Sequence, residues 1–215
     1  MNTVLHIPLT PSLPQQARLR ALQQAFAEVC NVLSPVARDT RCWNRVALHH
    51  MTYRDLRTRF PQLGSQMICN AIYSVSRTCR LVYQSPRSPF NLARWGERPL
   101  PLIRFAPTSP VYFDRHTLSL KAGHLSMFTL DGRIRFELNL AAADEQRFHR
   151  EKLLEVVLSS HDTGFALRFV FGSDAAGASA ANTLTVEPSD DGAPELPEYV
   201  LVQPEAHALT TGDPA

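Results

Sequence analysis

The spacing of hydrophobic positions changes once along the chain, from a helical period to a strand period. After a short alternating stretch at residues 3–9, apolar residues recur at helical spacing between residues 18 and 83. From Val111 onward the period becomes two, which is typical of strands with one buried face. The pattern therefore predicts an α+β fold in which one strand comes first, helices follow, and the remaining strands come last.

Two helices are predicted before Pro61. The first spans residues 12–36, where a Ser-x-x-Gln capping pattern opens a run of apolar residues at helical spacing. The start of the second is indicated by another capping pattern, in which Asp55 follows Thr52 by three residues. We expect this short helix to begin at Tyr53 and to end before Pro61, because the residue before a proline avoids helical geometry.

A third helix is predicted over residues 65–83, and its two faces differ in character. One face is apolar and is expected to lie in the core, with Ile68, Ala71, Ile72, Val75, Cys79 and Val82. The other face repeats polar and aromatic residues at steps of four and three: Gln66, Asn70, Tyr73, Arg77, Arg80 and Gln84. Amide, aromatic and guanidinium groups read base edges, stack on bases and hold phosphates. This face is predicted to be an exposed nucleic-acid-binding edge, although an ordinary solvated helix face has the same pattern.

Two hairpins are predicted in the second half of the chain. Asp131 and Gly132 separate alternating stretches at residues 125–130 and 133–140, and Asp-Gly favours a type I′ turn with positive φ at both positions. Strands over residues 153–158 and 165–171 form the second hairpin. Together with the first strand, these make about six strands, which are enough for a small closed or nearly closed β-barrel.

Charge is distributed unevenly along the chain. All 22 Lys and Arg residues lie at or before Arg168, and 12 of the 20 acidic residues lie in the same part, so residues 1–172 carry a net charge of +10. Residues 173–215 hold the other 8 acidic residues, no Lys or Arg, and many Pro, Gly and Ala residues. This composition predicts a disordered acidic tail. A basic body suits a phosphate-rich partner.

The sequence offers little for membrane, metal or catalytic chemistry. It has no charged leader and no long apolar run, so we expect a cytoplasmic protein with no membrane association. No nucleophile elbow, phosphate loop or His-Glu-x-x-His pattern is present, and we predict no catalytic residue, cofactor or metal. The cysteines Cys30, Cys42, Cys69 and Cys79 lack Cys-x-x-Cys spacing and are expected to be packed thiols. A zinc site assembled with His49 or His50 is the alternative.

A family resemblance begins in the second predicted helix. Residues 49–63 read His-His-x-Thr-Tyr-x-x-Leu-Arg-x-x-Phe-Pro-x-Leu, followed by Ser-Gln and an Asn-Ala-Ile helix. This pattern resembles the N-terminal half of the transposon-encoded RNA-guided nucleases of the OrfB/TnpB type, which are relatives of the type V CRISPR effectors. Residues 111–138, with their Thr-Leu-Asp-Gly-Arg run, and residues 152–171 are similar to later blocks of the family and follow in the same order.

The resemblance implies both an architecture and a partner. It implies a wedge-like, oligonucleotide-binding-like β-barrel from residues 1–11 and 100–172, with residues 12–99 as a helical recognition-like insertion after the first strand. It also implies a structured guide RNA as partner, with target DNA and a separate nuclease or effector protein as further candidates, in a bacterial cytoplasm or at the nucleoid if DNA is bound. From the resemblance and the basic stretches, the residues expected to bind nucleic acid are Tyr53, Arg54, Arg57, Gln66, Asn70, Tyr73, Arg77, Arg80, Arg87, Arg94, Arg133 and Arg135.

The nuclease half of the family has no counterpart in this sequence. Asp174 stands near the place where the family's Asp-x-Gly motif begins, and only 41 residues follow it. Two-metal cleavage needs several carboxylates that converge from different strands. We therefore expect a nucleic-acid-binding subunit of a ribonucleoprotein without cleavage activity of its own. Two alternatives stay open: one half of a split RNA-guided DNA endonuclease, and a regulatory or interaction module that uses no guide.

Overall fold

The structure, a computed structural model, describes residues 2–121, 123–162, 164–172 and 196–203. In this part of the chain, one strand is followed by four helices and then by eight strands with a fifth helix among them. In chain order they are β1 (Asn2–Leu9), α1 (Leu13–Asp39), α2 (Arg45–Arg59), α3 (Ser65–Tyr83), α4 (Leu92–Trp95), β2 (Leu102–Phe105), β3 (Val111–Phe113), β4 (Leu118–Lys121), β5 (His124–Thr129), β6 (Gly132–Glu137), α5 (Ala142–Arg150), β7 (Lys152–His161), β8 (Gly164–Gly172) and β9 (Val200–Gln203). The fold is α+β, and the strand-helices-strands order is as predicted.

The described strands form three antiparallel sheets. One has the order β1-β8-β7-β3, another has the order β4-β5-β6, and the third pairs β2 with β9. None of the three closes into a barrel within the described residues, so the predicted closed, oligonucleotide-binding-like barrel is not observed there. Alternation of apolar and polar residues identifies strands and their buried faces, but it does not say which strand edges are hydrogen-bonded to each other.

Helix α1 is the central element of the helical region and packs against α3 and β2. Its predicted capping box is present, since the backbone N–H of Ser12 donates to Oε1 of Gln15 at 2.9 Å. Near its middle, Asn31 acts as a partner for β2: its amide donates to the carbonyl of Phe105 at 2.9 Å and accepts from the same residue's N–H at 2.8 Å. The long helix is thereby fixed to the β part of the fold.

Helix α2 begins eight residues before the predicted start at Tyr53. Asn44 is its cap, and the side-chain oxygen of Asn44 accepts from the N–H groups of Val46 and Ala47. Thr52 lies inside the helix, and its hydroxyl donates to the carbonyl of Leu48 at 2.7 Å, so the predicted capping box is wrong. Few residues of α2 are buried. The sequence of its first turns therefore lacks a clear helical repeat of apolar residues.

Helix α3 has the predicted bounds and the predicted core face, whose six apolar residues are all buried. The prediction of an exposed opposite edge is confirmed at Gln84 and is wrong for the other five residues. Asn70 is only 6% exposed, and Tyr73, Arg77 and Arg80 are half-buried. The reason is that α3 packs against β3 on this side, so the polar stripe faces the sheet across a cleft rather than open solvent.

Both predicted hairpins are confirmed, with one difference in the turn. In the β5–β6 hairpin, Thr129 pairs with Gly132, and Gly132 is the only residue of the turn with positive φ, at 89°. The predicted type I′ turn is therefore wrong, because Asp131 does not share that conformation. The alternation predicted for this stretch is confirmed in β6, where Ile134 and Phe136 are buried and Arg133 and Arg135 are exposed.

The predicted acidic tail is only partly covered by the structure. Residues 173–195, which include Asp174, and residues 204–215 lie outside the described part. Residues 196–203 contradict the prediction of disorder, because β9 pairs with β2 and Val200 is buried. The prediction of disorder rested on the acidic composition of the whole stretch. The short run Val-Leu-Val at residues 200–202, which favours a strand, was too brief to change it.

The α1–α3 core predicts a large cost for truncating Ile72. Its side chain is almost fully buried, so Ile72→Ala is expected to lower the free energy of unfolding by about 2–5 kcal/mol through the cavity it leaves. Val46→Ala, at an exposed site on α2, is the matched control and should change it by less than about 0.5 kcal/mol. Urea denaturation measures both, and equal effects would contradict the described packing.

Candidate functional site

A cleft of about 770 Å³ separates the helical region from the four-stranded sheet. The beginning of α2 and the polar face of α3 form one wall, and β3 and β7 form the other. Five of the twelve predicted nucleic-acid-binding residues line this cleft: Gln66, Asn70, Tyr73, Arg77 and Arg80. The stripe identified in the sequence is therefore the wall of a concave site.

A single carboxylate, that of Glu155 on β7, organises the floor of the cleft. Its Oε2 accepts from Nη1 of Arg77 at 2.7 Å and from the hydroxyl of Tyr73 at 3.2 Å. Its Oε1 accepts from Nη2 of Arg168 at 2.6 Å. The side chains of Glu155, Arg77 and Arg168 are 14%, 25% and 33% exposed. One negative charge between two positive ones leaves this partly buried cluster with a net charge of +1.

Tyr112 on β3 connects the same cluster to the backbone of the sheet. Its hydroxyl accepts from Nη1 of Arg77 at 3.2 Å, and its carbonyl accepts from the amide of Asn70 at 3.0 Å. The rings of Tyr73 and Tyr112 meet edge to face, with centroids 5.4 Å apart. Three residues at successive turns of α3 are thus fixed against β3 and β7.

Protonation in the cluster follows from burial and neighbouring charge. Burial raises the pKa of Tyr73, and the Glu155 carboxylate raises it further. Burial likewise raises the pKa of Tyr112. For Arg77, burial alone would lower the pKa, but the oxygens of Tyr112, Glu155 and Tyr73 outweigh it and raise the pKa. The cluster therefore keeps neutral phenols around a guanidinium that stays charged.

A β-bulge in β7 places Glu155 where it can make these contacts. Leu153 pairs with Phe171 and Glu155 pairs with Val170, which leaves Leu154 as the extra residue. Such an insertion changes which face of the sheet the following side chains occupy. Here it puts Glu155 on the face of Arg168, and it leaves Leu154 in the lining of the cleft.

The rim of the cleft carries two arginines that form no ion pair in the described part of the chain, Arg45 and Arg80. Arg45 is exposed, and its guanidinium carbon lies 5.4 Å from the centroid of the Tyr73 ring. The side chain of Arg80 donates to the hydroxyl of Ser76 at 3.2 Å. On the opposite side, Oδ1 of Asp114 accepts from the N–H groups of two residues in its own turn.

The remaining predicted residues do not line the cleft. Tyr53 stacks on His49, a cleft residue, with ring centroids 4.6 Å apart. Arg57 donates to the carbonyl of Leu63, and Arg133 donates to the hydroxyl and carbonyl of Ser126. The others are exposed on α2, on the segment after α3 and on β6: Arg54, Arg87, Arg94 and Arg135.

The sequence did not single out Arg45, Tyr112, Glu155 or Arg168. One signal for the ion pairs was available. Arg168 is the lone charged residue within the apolar strand β8, and Glu155 stands in the middle of β7 with apolar neighbours on both sides. Since unpaired charges are costly to bury, such residues in adjacent strands indicate an ion pair.

The described residues contain neither a candidate metal site nor a candidate membrane-spanning helix. No group of three or more His, Cys, Asp or Glu residues there could hold a metal ion, so the alternative zinc site is not observed. Cys30 and Cys79 are buried, and burial raises the pKa of Cys79 to about 12. No described helix is long and apolar enough to cross a membrane.

No family model matches the chain, and no curated protein matches it.

The cluster around Glu155 predicts strong energetic coupling between α3 and β7. Glu155→Gln keeps the shape but removes the charge that faces two guanidiniums, so we expect it to lower the free energy of unfolding by about 1–3 kcal/mol. In a double-mutant cycle with Arg77→Met, the coupling energy from urea denaturation should exceed about 0.5 kcal/mol.

The exposed pair Arg59 and Asp55, whose atoms are 3.9 Å apart, supplies the control cycle for this measurement. Its coupling should be close to zero, because solvent screens such pairs. Equal coupling energies in the two cycles would mean that Glu155 does not join the two elements.

Proposed function

We propose that this chain is a nucleic-acid-binding subunit that binds a structured, guide-like RNA within a ribonucleoprotein and performs no cleavage itself. The observation that carries the proposal is the convergence of the α3 stripe and Arg45 in one positively charged cleft. Amide, aromatic and guanidinium groups that face a common concave space are what an unpaired segment of nucleic acid needs. The sequence resemblance to OrfB/TnpB-type proteins points to the same class of partner.

The charge of the surrounding surface supports the proposal. All 22 basic residues are in the described part of the chain, and the ion pairs there involve five arginines: Arg38, Arg59, Arg77, Arg147 and Arg168. Most guanidinium groups therefore form no ion pair with a carboxylate of the described residues. They are available to phosphates, which are the main source of affinity for nucleic acid.

The predicted residues outside the cleft and those that line it have different proposed roles. Arg54, Arg87, Arg94, Arg133 and Arg135 are exposed and outside the cleft, and we assign to them the contacts with phosphates that position the RNA. The cleft as a whole is assigned the contacts with an unpaired part of the RNA, where base contacts provide specificity. In this proposal, the helices over residues 12–99 act as the recognition part and the strands act as the wedge part.

RNA binding is predicted to depend steeply on salt concentration. Each phosphate contact releases counterions, so the logarithm of the affinity for an RNA hairpin should fall linearly with the logarithm of salt concentration. The variant with alanine at Arg54, Arg87, Arg94 and Arg133 should bind more weakly and with a shallower slope. Fluorescence anisotropy at several salt concentrations measures both quantities.

Lysine at the same four positions is the matched control, because it keeps the charge and should preserve the slope. The proposal is wrong if the parent protein binds no structured RNA between about 50 and 200 mM salt, the range over which phosphate-dependent binding is strong enough to measure.

We also predict that the purified chain does not cleave nucleic acid in the presence of Mg²⁺ and its RNA. Two-metal cleavage needs several converging carboxylates, and the described residues provide no such group. RNA-programmed cleavage by the purified chain that disappears with Asp174→Ala would contradict this prediction. Cleavage that appears only when a second polypeptide is added would instead identify the chain as one half of a split endonuclease.

A further inference from the structure

The Tyr73 side chain has a specific set of contacts in the cleft, and RNA binding in general does not explain them. The hydroxyl of Tyr73 is held by Glu155, and its ring is held edge to face by Tyr112. Arg45 lies over the ring at 5.4 Å from the centroid. Arg45 is exposed and forms no ion pair in the described part of the chain. One face of the Tyr73 ring is thus covered by an exposed guanidinium that no ion pair in the described part of the chain holds in place.

The dimensions of the site favour one nucleotide over a duplex. The volume of about 770 Å³ falls within the range of about 300–1,000 Å³ that is usual for small-ligand sites. An A-form RNA duplex keeps its bases paired and stacked inside the helix, so it cannot place a base in the cleft. A base can enter only if it is unpaired and turned away from its neighbours.

The polar groups around Tyr73 divide into those already occupied and those available. Arg77 and the amide nitrogen of Asn70 are occupied by Glu155 and Tyr112. Gln66, two turns before Tyr73 on α3, forms no hydrogen bond within the described residues and has its amide available for a base edge. Arg80, two turns after Tyr73, lies about 10 Å along the helix axis and has its charge available for a phosphate.

Charge also sets the direction of the nucleotide. Arg45 and Arg80 lie on the helical wall, whereas Asp114 lies on the opposite wall at the end of β3. The Arg77–Glu155–Arg168 cluster adds a net positive charge to the floor. A phosphate is therefore stabilised on the helical side and repelled on the side of Asp114.

We propose that the cleft binds one unpaired nucleotide of the RNA, with its base stacked between Tyr73 and the guanidinium of Arg45 and its phosphate at Arg80. The inference rests on the proposed RNA-binding function and specifies its site. Because neighbouring contacts fix the Tyr73 ring before binding, little conformational entropy is lost when the base stacks on it.

The test uses an RNA hairpin with 2-aminopurine, a base whose fluorescence is quenched by stacking, at one unpaired loop position. The parent protein should quench this fluorescence. Arg45→Ala and Tyr73→Ala should each abolish the quenching and weaken binding about 5- to 150-fold, which corresponds to the range for stacking of one base. Tyr73→Phe should retain the quenching, since it keeps the ring and loses only the hydroxyl.

Three controls separate stacking from charge and from folding. Arg59→Ala removes the same charge from an exposed site of α2 outside the cleft and should preserve the quenching. A hairpin with an abasic site at the probe position should bind the parent and Tyr73→Ala equally well. Thermal unfolding reports whether Tyr73→Ala folds. If it does not fold, Arg45→Ala and Tyr73→Phe still test whether the base stacks in the cleft.

The possible failures are distinguishable. If the parent binds the hairpin but Arg45→Ala and Tyr73→Ala leave affinity and fluorescence unchanged, the nucleotide site is wrong and the RNA-binding function stands. A fully paired RNA that competes as well as the loop would overturn the site in the same way. If the parent binds no RNA at all, both the proposed function and the site fail.

Discussion

The ion pairs of Glu155 are the interaction on which the site depends. Helix α3 and strand β7 are far apart in sequence, and this carboxylate joins them through Arg77 and Tyr73 while it also holds Arg168 on the adjacent strand. Moving one of these elements out of this arrangement would leave a partly buried carboxylate or guanidinium without its partner, which is costly. The width of the cleft and the orientation of the Tyr73 ring follow from that arrangement.

The same contacts limit which residues of the α3 stripe can bind a ligand. Arg77 and Asn70 have the residue types expected of a reader helix, but their hydrogen bonds go to Glu155 and Tyr112. Alanine at either position would alter stability and binding together. Arg45 is the more informative residue, because it is exposed and its guanidinium lies over the ring of Tyr73.

Local patterns predicted the elements well where one face is strongly apolar. Helix α3 and the two hairpins were found in this way, since a buried face imposes its period on the sequence. Helix α2 was placed too late because few of its residues are buried. The burial of the α3 stripe could not be predicted from the sequence, because the stripe is covered by Tyr112 and Glu155. The positions of these two residues are set by the pairing of β3 with β7 and by the bulge at Leu154.

The most direct test of the account is ultraviolet cross-linking of the full chain to a bound RNA hairpin, followed by mass spectrometry of the cross-linked peptides. We predict cross-links in peptides that contain the beginning of α2 and the polar face of α3, with Tyr73 or His49 among the modified residues. They should disappear when an excess of unlabelled hairpin is added. Specific cross-links confined to β4–β6 or to the other face of the helical region, with none in α2 or α3, would contradict it.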